Sequence, residues 1–375
     1  MLFFKDNVKR ILNFPGWHTN RKIVVIESDD WGSIRMPSSE VYRNLKQHGI
    51  DIETGDNLIY NQNDTLERSS DLELLFEVLD SVKDCQDNSA KMTAVSVVAN
   101  PDFGKIKAHH FQSYFHESVV DTFARHAGCE RSFELWKVGV EKGLFKPQFH
   151  AREHLNVGEW MRALQTNDAD AHFAFENGFW GYNNVKVGRV SFQAAFDFIH
   201  PDDLKLQTES IESGLDLFEQ LLGYQASYFV PTNGPFNHSL EPVAAKKGIK
   251  LMYGSRFQSM PVGFGKTKTI YHYFGQRNSS NQRYIMRNAM FEPVQSGQDW
   301  VGSCLKDIAF AFQCRQPAVI CTHRVNYMGG LRIVNRSRGL SQLSQLLKSI
   351  LKFWPDTEFK TTDELEKMML NKIES

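Results

Sequence analysis

Long apolar runs are missing from this chain. No stretch approaches the ~20 consecutive apolar residues that a membrane-crossing helix needs, so no membrane span is expected. An excess of either charge is missing too: 43 Lys and Arg face 44 Asp and Glu. That balance leaves neither a nucleic-acid footprint nor a polybasic membrane patch in the composition. Cysteine is scarce and odd in number. Cys85, Cys129, Cys304, Cys314 and Cys321 show no CxxC pairing, which argues against a complete disulfide framework and for a reducing compartment. The beginning, Met1-Leu2-Phe3-Phe4-Lys5-Asp6, turns to charge before a signal-like apolar run develops, so a cytoplasmic protein is expected. Internal repeats and low-complexity segments are also lacking. What is plentiful is aromatic side chains, 12% of the chain with 28 Phe, enough for a large core or a cleft that stacks flat ligands.

The organising stretch is Lys22-Ile23-Val24-Val25-Ile26-Glu27-Ser28-Asp29-Asp30-Trp31-Gly32. A short apolar run of β-formers suits a strand buried on both faces, as in parallel α/β sheets and barrels. Such folds keep their chemistry at the C-terminal ends of strands. Adjacent carboxylates there repel one another, and a bound cation or a nearby base would relieve them. A solvated loop or a helix cap is the plain alternative.

Strand and helix signals then alternate. Ser38 and Ser39 start a helix that runs to about His48 and stops at Gly49. A helix follows from Leu72, a strand at Thr93–Val98, a helix at Phe133–Lys142, and a strand leading to Phe149. Asn156 and Glu159 start a helix through Leu164, so His150 and His154 fall in the turn before it. Further strands are expected at Ala226–Val230, Ile249–Met252, Ile285–Phe291 and Ala318–Cys321. Helices are expected at Thr208–Leu222, up to Lys247, at Val301–Phe312, around Leu340–Ile350, and after Thr361. About seven strand–helix units result, the pattern of a parallel barrel or open sheet. Residues 1–21 read as a lead-in and residues 22–375 as a single barrel domain. Insertions fall near 50–70, 165–200 and 254–283. The aromatic stretch 165–200 either packs on the barrel or forms a wall that stacks sugar rings, with Trp180 and Trp31 as candidate ligand-stacking residues.

Three polar groups follow strands: Asp29 with Asp30, His150 with His154, and His323. One carboxylate and two imidazoles suit Zn²⁺ or a similar ion with open positions, and Asp30, His150 and His154 would supply them. Asp29 then remains as a base, and His323 is placed to protonate a leaving group. His150-x-x-Glu153-His154 also fits the HxxEH pattern of inverted zinc proteases, which needs both histidines on one helix. Pro147, Asn156 and Gly158 argue against that helix.

In these motifs the chain resembles the polysaccharide deacetylase superfamily, whose members fold as a distorted (β/α)7 barrel. Ser28-Asp29-Asp30-Trp31-Gly32 is similar to its first motif, His150-x-x-x-His154 to its second, and Val319-Ile320-Cys321-Thr322-His323 to its last. The resemblance implies Asp29 as catalytic base, Asp30 as first metal ligand and His323 as acid. It also implies one divalent metal ion, with zinc expected, and an acetylated carbohydrate as substrate. The superfamily's third motif places an Arg before a Pro-Tyr whose backbone helps hold the oxyanion. Here Tyr228-Phe229-Val230-Pro231-Thr232-Asn233-Gly234 keeps the Pro and lacks the Arg. Arg256 or Arg287 is expected to replace it, and Asn233 to act as oxyanion donor. Besides sugar deacetylation, an amidase on a small non-sugar C–N bond and a silent carbohydrate-binding barrel stay open.

Overall fold

Strand β1 (Lys22–Trp31) is buried along almost its whole length and has neighbours on both edges. The computed structural model describes residues 15–55, 57–182 and 191–371; residues 1–14 of the lead-in and 183–190 of the second insertion lie outside them. After β1 come β2 (Met92–Val97), β3 (Ala99–Pro101), β4 (His116–Ser118), β5 (Phe145–Ala151), β6 (Tyr228–Phe229) and β7 (Leu251–Tyr253). The rest are β8 (Phe257–Gly263), β9 (Lys266–Tyr271), β10 (Arg283–Ile285), β11 (Ala289–Met290), β12 (Ala318–His323) and β13 (Thr357–Phe359). Strands β10, β7, β6, β5, β2, β1, β12 and β11 lie side by side in that order, all parallel, and β13 joins the start of β1. Strands β3–β4 and β8–β9 form separate antiparallel hairpins.

One strand was expected over 285–291, and the chain breaks it in two. β10 and β11 are opposite edges of the sheet, so Met286, Arg287 and Asn288 carry the chain from one edge to the other. Asn288 fastens the crossing to β12: its N–H donates to the Val319 carbonyl at 3.0 Å, and its side-chain oxygen accepts from the Val319 N–H at 2.8 Å. The sheet is thereby curled into a distorted (β/α) barrel closed by covalent chain, with eight strands in its ring among the described residues where seven were expected.

Alternation along β1 separates two cores. Ile23 and Val25 point into the barrel with Val95, Tyr228, Leu251, Ile285 and Val319. Val24 and Ile26 point outward beneath the helices with Met92, Ala318, Ile320, Leu343 and Leu347. Each fully buried Val or Ile contributes about 1.5–3 kcal/mol, which lets the barrel carry charge higher up. Local signals set the helices as expected. Ser38 Oγ accepts from the Val41 N–H at 3.1 Å, and Gly49, at φ 90°, takes the left-handed turn that ends the helix Ser39–His48. In the long helix Asp203–Leu222, a Cβ at Gly214 would lie 2.9 Å from Phe149 and Arg152, so that helix can press directly on β5.

Candidate active site

The period of two along β1 also governs the carboxylates. Glu27 and Asp29 continue the inward series of Ile23 and Val25, and a regular strand would turn Asp30 away. The pairing of β1 with β2 shifts register between Ser28 and Trp31, and Asp30 adopts φ 80°. That is a conformation most side chains avoid, and it is held at the strand end where it lets both aspartates face one cleft. The cleft is about 810 Å³ and is also lined by Arg35, Tyr60, His150, His154, Asn233, Arg287, Cys321 and His323. The stretches 50–70, 165–200 and 254–283, expected as insertions, all contribute walls: Thr54 and Asn57 from the first, Ser191 and Gln193 from the second, Phe257 and Ser259 from the third.

Asp30 Oδ1 stands 3.6 Å from His150 Nε2 and 3.1 Å from His154 Nε2. The ligand-capable atoms of these three buried residues lie within 4.8 Å of one another, so the donor set fits a divalent ion of the zinc kind. His150 Nδ1 donates to the Val230 carbonyl at 2.7 Å, which leaves its Nε2 lone pair for a ligand. Burial, and then the charge of Arg35, push His154 down to about 4, so it is neutral at physiological pH, as a ligand must be. Burial alone would raise Asp30. The charge of Arg35, and then the two histidines beside it, outweigh burial and hold it well below the usual carboxylate range.

Asp29 sits in the fork of Arg287, with Nη1 and Nη2 each 2.6 Å from a carboxylate oxygen. The same guanidinium reaches Glu27 through Nε at 2.7 Å, and Glu27 is otherwise satisfied by Tyr228 and Thr362 hydroxyls at 2.8 and 2.7 Å. Burial works against ionised Asp29, but the charge and hydrogen bonds of Arg287 win and lower it. His323 pairs in register with Asp29 across the β1–β12 ladder, as the last residue of β12 and not beyond it. Its Nδ1 lies 2.6 Å from Glu292 Oε1, and its Nε2 is 3.9 Å from Asp29 Oδ2. Burial would lower His323; the charge and hydrogen bond of Glu292 override it and raise it well above the ordinary value. Asn326 steadies Glu292 by donating to its other oxygen at 2.7 Å.

Behind Asp30 runs a line of alternating charges. Arg35 Nη2 forms an ion pair with Asp30 Oδ1 at 2.9 Å and lies 3.4 Å from His154 Nε2, while its Nε faces Asp64 at 3.4 Å. Arg324, fully buried, bonds Asp64 at 3.2 Å and Glu67 at 2.6 Å, and Glu67 accepts the Gly32 N–H at 2.9 Å. The turn holding Asp30 is thus braced from below.

Most residues singled out in the sequence converge here: Asp29, Asp30, His150, His154, His323, Asn233 and Arg287 all line the cleft. Of the two arginines expected near the site, Arg287 lines the cleft and bonds Asp29, while Arg256 lines a recess behind it, beside Asp307. Two candidates are corrected. Trp31 follows the register shift and turns outward into the core, fully buried, edge-on to Phe145 at 5.0 Å. Trp180 is buried against Phe103 in the apolar packing of the second insertion, and its indole N–H holds the His154 carbonyl at 3.2 Å. The insertion therefore packs on the barrel, and Trp180 positions His154 through its backbone. Residues 152–155 are bent and not helical, which removes the inverted-protease geometry; Glu153 pairs with Arg152 at 2.6 Å. Arg35, Glu292, Tyr60 and the Asp64–Arg324 pair escaped the sequence reading. Only Arg324, next to His323, sat beside a recognised motif.

No family model and no curated protein matches the chain. Solved structures with a similar course of chain include a putative polysaccharide deacetylase from Mycobacterium smegmatis. It has 10% identity and a TM-score of 0.43, with 96% of this chain and 93% of that one covered. A probable polysaccharide deacetylase from Pseudomonas aeruginosa PAO1 has 9% identity and a TM-score of 0.45, over 93% and 91%. An allantoinase has 10% identity and a TM-score of 0.45, over 94% and 91%. Likeness of this size leaves the chemistry to be argued from the residues.

Proposed function

We propose that the protein is a metal-dependent hydrolase that removes an acetyl group from an acetylated carbohydrate. The observation that carries this is the meeting of three differently tuned groups in one cleft: an Asp29 held ionised by Arg287, the donor set of Asp30 and His150 with a neutral His154, and a His323 kept protonated by Glu292. Asp30, His150 and His154 would hold one divalent ion, with zinc the best match to one carboxylate and two imidazoles. When bound, such an ion supplies a Lewis acid for the acetyl carbonyl and makes water more acidic.

The chain's own residues do the rest. Asp29, kept ionised and oriented by Arg287, accepts a proton from the attacking water. His323 Nε2–H, aimed into the cleft by the Glu292 bond at Nδ1, gives its proton to the departing amine or alcohol. Asn233 lies on the cleft wall at φ 56°, in the turn after β6, where its N–H or amide can meet the carbonyl oxygen as charge develops. Polar walls of Asn57, Gln193, Ser191 and Ser259 favour a hydroxyl-rich substrate. The presence of Arg287 in the place of the missing arginine speaks against a silent binding barrel.

The test is acetate release from a panel of N- and O-acetylated sugars by protein loaded with zinc, beside cyclic amides and formamides. Turnover of an acetylated sugar, falling ~10²–10⁴-fold in Asp29→Asn while metal is retained, is the expected result. Turnover confined to the cyclic amides would move the protein to the amidase reading, and none with either class would remove the hydrolase reading.

A further inference from the structure

The β8–β9 hairpin carries an unusual surface. Four of the ten large hydrophobic side chains exposed among the described residues fall in these fifteen positions: Phe257 at 61%, Val262 at 44%, Phe264 at 75% and Tyr271 at 38%. Its inner face is fixed to its surroundings. Buried Gln258 donates through Nε2 to the carbonyl of Gly234, in the turn after β6, at 3.2 Å, and the Phe264 N–H donates to the Ile199 carbonyl at 2.6 Å. The outer face and the tip are therefore held out in a defined pose. At the tip, Phe264 stands between Gly263 and Gly265 at φ 54°, a region bulky residues avoid. A glycine or asparagine would serve that turn at lower strain, so turn chemistry does not account for an aromatic there.

Charge sharpens the pattern. Residues 257–271 contain no acidic residue, while Lys266 and Lys268 follow the tip and have no ion-pair partner among the described residues. A second apolar patch lies nearby. Ile333 and Val334, 66% and 77% exposed, open the helix Ile333–Phe353 beside Arg332; Arg336 there pairs with Asp71 at 2.8 Å and Arg338 donates to the Val294 carbonyl at 2.9 Å. That helix follows β12 and the hairpin follows β7, so both patches leave the barrel at the C-terminal ends of its strands. The cleft opens at the same end, and Phe257 and Ser259 of the hairpin line its wall.

We infer that this end of the barrel docks on an anionic phospholipid surface. Phe264 and Val262 enter the interface, Lys266 and Lys268 meet lipid phosphates, and the cleft mouth is brought against the membrane. The overall charge balance concealed this patch because its lysines and arginines are compensated by acids elsewhere. Aromatic tips with adjacent lysines suit the boundary of a bilayer, where an apolar end and a charged end are satisfied together. Each basic residue at an anionic surface raises the partition by about fivefold. The docking is independent of the hydrolytic reading, since it uses none of the groups assigned to chemistry.

The experiment is flotation of the full-length protein with vesicles of phosphatidylcholine alone and of phosphatidylcholine mixed with phosphatidylglycerol. It compares wild type with Phe264→Asp and Lys266→Glu/Lys268→Glu, whose fold is checked by circular dichroism. Expected are salt-sensitive flotation with the anionic vesicles only, and a loss of ~10-fold or more in both variants. Failure of the wild type to float, or equal flotation of the Phe264→Asp variant, overturns the proposal. So does a wild-type dimer in sedimentation velocity that Phe264→Asp dissolves, because the hairpin would then be covered by a second copy of the chain.

Discussion

At Asp30 two cations compete for one carboxylate. The donor set with His150 and His154 fits a divalent ion, yet Arg35 already lies 2.9 Å from the same oxygen. Like charges about 4 Å apart repel by ~4 kcal/mol per unit charge at an effective dielectric of 20, so Arg35 weakens metal binding or swings aside when the metal enters. Arg35→Gln is therefore expected to bind zinc at least ~10-fold more tightly than wild type, as read by competition with a chromophoric chelator. Equal affinity would show that Arg35 does not contend for the site. His323 offers a second test at this scale. Glu292 raises its pKa, and the acid must be protonated to work, so activity holds below that raised value and is lost as pH rises through it. Glu292→Gln removes the raising charge and leaves the burial. The basic limb of the pH–rate profile should move to lower pH, with the acidic limb in place. An unmoved basic limb would assign it to another group.

At the scale of elements, the site depends on irregularities and not on regular structure. The shift at Ser28–Trp31 turns Asp30 into the cleft, and the break between β10 and β11 delivers Arg287 to Asp29. A third dependence is the contact of helix Ile333–Phe353 with the turn after β12. A Cβ on Gly339 would fall 1.8 Å from the Asn326 carbonyl oxygen, and Asn326 holds Glu292, which holds His323. Gly339→Ala must therefore push the helix off that turn. Overpacking of this kind costs ~1–3 kcal/mol, so a lowered melting temperature is expected, together with a kcat loss larger than any change in KM. A variant as stable as wild type would mean that the helix and turn yield easily and are not the rigid support described here.

For the whole molecule, what the sequence made legible was local. Apolar runs ending in carboxylate or histidine, and caps such as Ser38 with Gly49, announce themselves within ten residues and point to the barrel and to five residues that line its cleft. What stayed hidden was brought together from afar. Arg287 lies 258 residues from Asp29, and Glu292 follows a two-residue strand too short to show a period. Trp31 was misjudged because a one-residue register shift reverses which side chains face the cleft. The cleft is organised around one expected ion at Asp30, His150 and His154, so its binding is the most direct test. Metal should be counted by elemental analysis in protein purified without chelator and supplied with zinc. About one zinc per chain is expected in wild type and in Asp29→Asn, and little in a folded His150→Ala/His154→Ala variant. Equal metal in wild type and the double variant, or none in wild type, would contradict it.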